Sequence, residues 1–100
     1  MMISVVIEEQ PGQVFTATAP DLPQCRLQDT DPGNAFARIR LAIEGALADL
    51  LLEGRPLPAI RSAADWRADS RFAGGRWYEV HMNIGHIEAV ARHQQDRTRN

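Results

Sequence analysis

The chain has 100 residues, 44% of them hydrophobic and 24% charged, which is the composition of one folded domain and not of a disordered segment. Eleven basic residues against thirteen acidic ones leave a net charge of −2, too little positive charge to hold a protein on nucleic acid by bulk attraction. All eleven bases are Arg, which excludes a Schiff-base or phosphate-loop lysine and the chemistry that needs one.

Ile3-Ser4-Val5-Val6-Ile7 is short, β-branched and apolar and predicts a first strand. Pro11-Gly12 follows as a turn signal, because Pro presets its φ and Gly accepts a positive one. Val14 to Ala19 then alternates with period 2, with Phe15, Ala17 and Ala19 on one face and Val14, Thr16 and Thr18 on the other. The two runs read as a β-hairpin. Pro20 and Pro23 bracket Asp21-Leu22 as a fixed bend, since neither proline can donate to a sheet ladder. Cys25 and Leu27 alternate with Arg26 and Gln28 and predict a short third strand.

Thr30 or Asp31 can cap the next element, and Pro32 suits a first helical turn. Phe36, Ile39, Ile43, Leu47 and Leu50 recur at helical steps and make a stripe wide enough to cover a sheet face. Gly54 stops the helix, and Pro56 and Pro58 prevent its resumption. Residues 55–75 read as a linker holding a short helix capped at Ser62 and carrying Trp66. Arg76 to Met82 alternates and predicts a fourth strand, after which Ile84 or His86 opens a last helix with Ile87, Val90 and Ala91 on one side.

These elements predict a single α+β domain: a β-β-β-α unit over 1–54, the linker over 55–75, and a fourth strand with a C-terminal helix over 76–100. Three antiparallel strands and a right-handed crossover give the sheet order 3-2-1-4, with the fourth strand parallel to the first. Trp77 and Tyr78 are adjacent in a strand and so face opposite ways. If the crossover helix covers one of them, the other needs the terminal helix or a second subunit, which points to a homodimer.

The runs Val5-Val6-Ile7-Glu8-Glu9, Phe15 to Cys25 and Glu53-Gly54-Arg55-Pro56-Leu57-Pro58, with Asp29-Thr30 opening the helix, resemble the HicB antitoxin family. The most specific part is Ala-x-x-Pro-Asp-Leu-Pro-x-Cys from Ala17 to Cys25, and Phe72 to Val80 is similar to a stretch that precedes the last strand in some HicB-like proteins. The resemblance implies a truncated RNase H-like fold and a non-enzymatic role. Its partner would be a small basic ribonuclease toxin of the HicA type, bound and occluded. The sequence departs from the family pattern at Gln24, where a Gly is usual, and at Gly33-Asn34, where the helix usually starts on acids. It shows no complete helix-turn-helix after the fourth strand, so no DNA binding is expected from this chain alone.

The residues predict no catalytic centre. Two-metal chemistry needs carboxylates converging on adjacent strands, whereas strand 1 is apolar up to Glu8 and Glu9 at its turn. His86 and His93 are two helical turns apart, not at the i, i+4 spacing of a paired metal site, and His81 stands apart from both. Cys25 reads as a small buried hydrophobe, and one cysteine makes neither an internal disulfide nor a cysteine-based zinc site. The tail bases Arg92, Arg97 and Arg99 are interrupted by Asp96 and read as solvated. Leu41 to Leu52 is too short to span a bilayer and carries Glu44 and Asp49, and no secretion leader is visible, so the expected compartment is the cytoplasm.

A basic partner would be met by acidic strand ends and the exposed sheet side. The expected contacts are Glu8, Glu9, Asp21, Leu22, Asp29 and Glu79, with no cofactor and no metal. The alternative is a solitary homo-oligomeric domain of structural or ligand-binding type, without a toxin.

Overall fold

The computed structural model describes the backbone of residues 1–98 and the side chains of residues 1–95. Its order is β1 (Met2–Gln10), β2 (Val14–Thr18), β3 (Arg26–Asp29), α1 (Pro32–Leu52), α2 (Ala63–Arg67), a 3-10 turn (Ser70–Phe72), β4 (Arg76–His81) and α3 (Ile84–Thr98). The four strands form one antiparallel sheet in the order β3-β2-β1-β4, the expected order within an α+β architecture.

The β1–β2 hairpin closes from the pair Gln10↔Val14, and the turn is made by Gly12 and Gln13, both at positive φ. β2 passes to β3 through a bend tied by three backbone bonds. Ala19 N–H donates to Cys25 O (3.0 Å), Leu22 N–H to Ala19 O (2.9 Å) and Cys25 N–H to Leu22 O (2.7 Å). These bonds turn Leu22 and Cys25 inward, and burial pushes the Cys25 thiol pKa up. β3 accordingly starts at Arg26, one residue after Cys25.

Helix α1 begins and ends on the expected residues. Asp31 caps it, its carboxylate accepting from Gly33 N–H (2.8 Å) and Asn34 N–H (3.3 Å), with Pro32 in the first turn. At the other end Gly54 takes a positive φ, its N–H donates to Leu51 O (3.2 Å), and Arg55 N–H donates to Leu50 O (2.9 Å). That is the paired bonding of a Schellman stop, which a residue with a Cβ adopts only at a cost. Ala35, Ile39, Ile43 and Leu47 lie against Ile3, Val5, Ile7, Ala17 and Val80, and together they form the core. Phe36 and Leu50, expected in the stripe, are only half-buried at its margins.

The direction of β4 corrects the expectation. It pairs with β1 antiparallel, from Met2↔His81 to Ile7↔Arg76, where a parallel strand was predicted. The cause lies in residues 55–75. β3 ends beside the hairpin, so α1, roughly 30 Å long at 1.5 Å per residue, carries the chain to the far end of the sheet. The following segment does not wait there. It passes the β2–β3 bend, where Arg61 N–H donates to Asp21 Oδ1 (3.1 Å), and returns along the opposite sheet face to the hairpin end. Gly75 lies at that end against Val6, so closely that a Cβ there would overlap the Val6 Cγ2 methyl. β4 therefore enters beside Ile7 and runs back, antiparallel to β1.

This return path also answers the question of the two adjacent aromatics. Tyr78 lies on the α1 face, edge-on to Phe36 with centroids 5.5 Å apart. Trp77 lies on the other face and is covered by Phe72 at 5.8 Å, which in turn meets Trp66 at 6.1 Å. The cover is the chain's own segment and not the terminal helix. Helix α3, capped where His86 N–H donates to the Asn83 side chain (3.0 Å), instead packs beside α1 through Ile84 and Ile87. Arg97 and Arg99 of the tail lie outside the described side chains.

Candidate partner-binding surface

The second sheet face differs from the α1 face in its chemistry. Its positions are Met2, Ser4, Val6, Glu8 and Gln10 from β1, Val14, Thr16 and Thr18 from β2, Arg26 and Gln28 from β3, and Trp77, Glu79 and His81 from β4. Period-2 alternation sends most polar strand residues to this side, with Glu9, Asp29 and Arg76 left on the α1 face. α2 and the 3-10 turn cover only part of it, leaving an open groove of about 640 Å3 lined by Glu8, Gln10, Thr18, Arg26, Trp66 and Phe72 among others.

The covering segment is held by directional contacts. Ser62 caps α2 by accepting from Asp65 N–H (3.2 Å). Asp21 Oδ1 accepts from both Arg61 N–H and the Trp66 indole N–H (3.1 Å each), fastening the segment to the β2–β3 bend. Its second oxygen, Oδ2, is buried and has no hydrogen-bond partner among the described residues. The Arg61 guanidinium lies over the Trp66 ring at 5.2 Å, and that of Arg71 over Phe72 at 5.5 Å. Asp69 fixes Arg71 at 2.7 Å, and the Arg71 side chain and backbone N–H together hold the Asp69 carboxyl at about 2.

The six expected contact residues are not brought together as one patch. Glu8 and Glu79 share the second face, on either side of the Trp77–Phe72 contact. Glu9 lies on the α1 face near the hairpin, opposite Phe15, in a pit of about 500 Å3 that also holds Arg76 and Tyr78. None of these three glutamates makes an ion pair among the described residues. Asp29 is engaged inside the chain, accepting from Asp31 N–H (2.9 Å) and pairing with Arg38 (3.0 Å). Those two contacts, the backbone one first, pull its pKa down. Asp21 is the fastening just described, and Leu22, 3% exposed, is a core residue with almost no surface to offer.

Residue-by-residue reading missed the role of Trp66, Phe72 and Arg71. The Ser62 cap was visible, but which strand residues the segment would meet depends on its path across the sheet. Among the described residues, no three His, Cys, Asp or Glu side chains gather where they could hold a metal ion, and no helix is long and apolar enough to cross a membrane.

Comparison of the whole fold decides its type. A crystal structure of the N-terminal domain of Burkholderia pseudomallei antitoxin HicB superposes with a TM-score of 0.75 at 23% identity, over 83% of this chain and 99% of that domain. This is the HicB N-terminal fold. A structure of the longer Burkholderia pseudomallei antitoxin HicB superposes with a TM-score of 0.79 at 22% identity, over 87% of this chain. The chain spans 65% of that longer HicB. No family model matches the sequence, and no curated protein does either. The likeness to HicB is thus one of fold, carried by the backbone path.

Proposed function

We propose that this chain is an antitoxin of the HicB type, which binds a small basic ribonuclease toxin in the cytoplasm and covers its RNA-binding groove. The observation that carries this reading is the match over 99% of the HicB N-terminal domain. A protein of this kind acts by presenting a surface and performs no reaction of its own. Glu8 and Glu79 beside the Trp77–Phe72 contact, with Glu9 at the hairpin end, offer unpaired negative charge next to aromatic surface. Opposite charge speeds the encounter, and buried aromatics anchor the contact.

The test is a search beside this gene for a small basic reading frame, its co-expression with this chain, and purification on a single tag. Co-elution and loss of the partner's ribonuclease activity are the expected results. Simultaneous Glu8→Arg, Glu9→Arg and Glu79→Arg should slow association about tenfold or more and flatten its dependence on salt. An unchanged association rate would remove these residues from the contact. A partner that never co-elutes would leave the solitary homo-oligomeric domain as the reading.

A further inference from the structure

The two edges of the sheet differ in what they leave open. Met82 N–H donates to Met1 O (2.7 Å) and the Met1 ammonium to Met82 O (3.0 Å), so these residues form a doubly bonded pair. Antiparallel ladders alternate bonded and unbonded pairs, which makes Ile3↔Val80, Val5↔Tyr78 and Ile7↔Arg76 the bonded pairs of β4. The N–H and C=O groups of Trp77, Glu79 and His81 therefore point away from β1, out of the sheet. None of these groups has a hydrogen-bond partner among the described residues. On the opposite edge, the bond from Ala19 N–H to Cys25 O fixes the phase of the β2–β3 ladder in the same way. There only Arg26 and Gln28 turn outward, and the Arg38 guanidinium closes Gln28 O by donating to it (3.2 Å).

The side chains along the open edge have a definite chemistry. On the second sheet face stand the Trp77 ring and the Glu79 carboxylate. Glu79 faces uncharged Ser4 across β1 and makes no ion pair among the described residues. On the α1 face stands Tyr78, 41% exposed, beside an apolar pit of about 340 Å3 lined by Ile7, Pro32, Gly33, Phe36 and Tyr78 itself.

We propose that β4 is a docking edge for an extended segment of another protein, which adds to the sheet as a further strand and alternates apolar with basic residues. A strand added there lies about 4.8 Å beyond β4, and its side chains alternate between the two sheet faces. Those on the second face fall beside Glu79 and Trp77, where a basic group pairs with the carboxylate and lies against the ring. Those on the α1 face fall beside Tyr78 and the pit, where apolar groups leave water. Backbone bonds to Trp77, Glu79 and His81 supply affinity, and the side-chain environments select the sequence. A second copy of this chain does not supply that alternation. Its own edge strands, Arg26–Asp29 and Arg76–His81, hold a single Arg apiece, each at the first residue. The inference goes beyond the antitoxin reading and does not rest on it, because it concerns which backbone groups of this chain stand open.

The test is an NMR titration of the isotope-labelled full chain with an acetylated, amidated octapeptide of alternating valine and lysine. In the free chain the Trp77, Glu79 and His81 amides should exchange quickly, and those of Tyr78 and Val80 slowly. Peptide added up to millimolar concentration should shift the first three and slow their exchange. Two further peptides carry backbone N-methyl groups, one on every valine and the other on every lysine. Only one of them should still bind, since successive N–H groups of a strand point to opposite sides. Glu79→Arg should weaken the lysine peptide about tenfold or more. Glu79→Pro removes an outward N–H and leaves the β1 ladder intact, so it should weaken the peptide more than Glu79→Gln does. Circular dichroism should show the variants folded, and the methylated peptides give the backbone test on the unaltered chain. Equal binding of the two methylated peptides, or shifts centred away from β4, overturns strand addition. Equal binding of a valine–glutamate peptide overturns the basic partner. Slow exchange of the three amides in the free chain, or protection that grows with protein concentration alone, means that the edge is already occupied and overturns the proposal.

Discussion

The two faces of the sheet are covered in different ways. On one, a single 21-residue helix lays Ile39, Ile43 and Leu47, all fully buried, on Ile3, Val5 and Ala17. On the other, a five-residue helix and a three-residue 3-10 turn cross a polar surface and touch it through edge-on aromatics, two bonds to Asp21 and stacked guanidinium groups. The first cover works by apolar area, which scales with every methylene removed from water. The second works by geometry, which positions a segment while contributing less to global stability. Elements held by few apolar contacts open locally at lower free energy than the core. The stable face thus carries the fold, and the fastened face leaves an open polar groove beside its cover.

The largest test of this contrast is Ile43→Ala, which leaves a cavity in the dry layer and should cost about 2–5 kcal/mol, read as a lower urea midpoint at unchanged slope. A cost below about 1 kcal/mol would contradict a core centred on α1. Next in size is Asp21→Ala. It strands the Trp66 indole N–H and should cost about 1–3 kcal/mol. Hydrogen exchange should quicken in residues 61–73 and leave the amides of α1 unchanged; equal quickening in α1 would mean that the two layers open as one. The smallest effect concerns pH. The Asp69 carboxyl is held at about 2, below its unfolded value near 3.9, so its contribution to stability is full above that unfolded value. As acid takes the pH down through about 2, the pairing with Arg71 is lost, and tryptophan fluorescence should report loosening around Trp66 and Phe72. Asp69→Asn should remove that acid step; its persistence would assign the step to another group.

How much of this was readable from the chain differs between the same two regions. The caps at Asp31 and Gly54, the apolar stripe between them, and the hairpin around Gly12 are decided within a few residues of themselves, and each falls where its local chemistry puts it. Reading failed where the outcome depended on distant parts meeting. Residues 55–75 look like a passive linker because Pro56, Pro58 and the polar positions carry no periodicity, yet their route sets the direction of β4. Leu22 and Asp21 have the composition of an exposed Pro-flanked loop. The three backbone bonds of the bend turn one into the core and set the other against Trp66, and those bonds are invisible in composition. The candidate surface was legible only in part for the same reason. Acidic character at Glu8, Glu9 and Glu79 is a property of each residue, but which of them share a face with the Trp77–Phe72 contact is a property of the path.

Strand alternation, helix period, turn glycines and caps act over at most a few residues, so the order of elements and the dry stripe of α1 could be read from the string of amino acids. The direction of the last strand, the cover over Trp77 and the exposure of Leu41 beside Val90 could not. Those depend on which of two sheet faces a segment crosses. That choice is made by excluded volume and by contacts between residues 40 or more positions apart, as between Asp21 and Trp66, for which no local pattern of side chains carries a record.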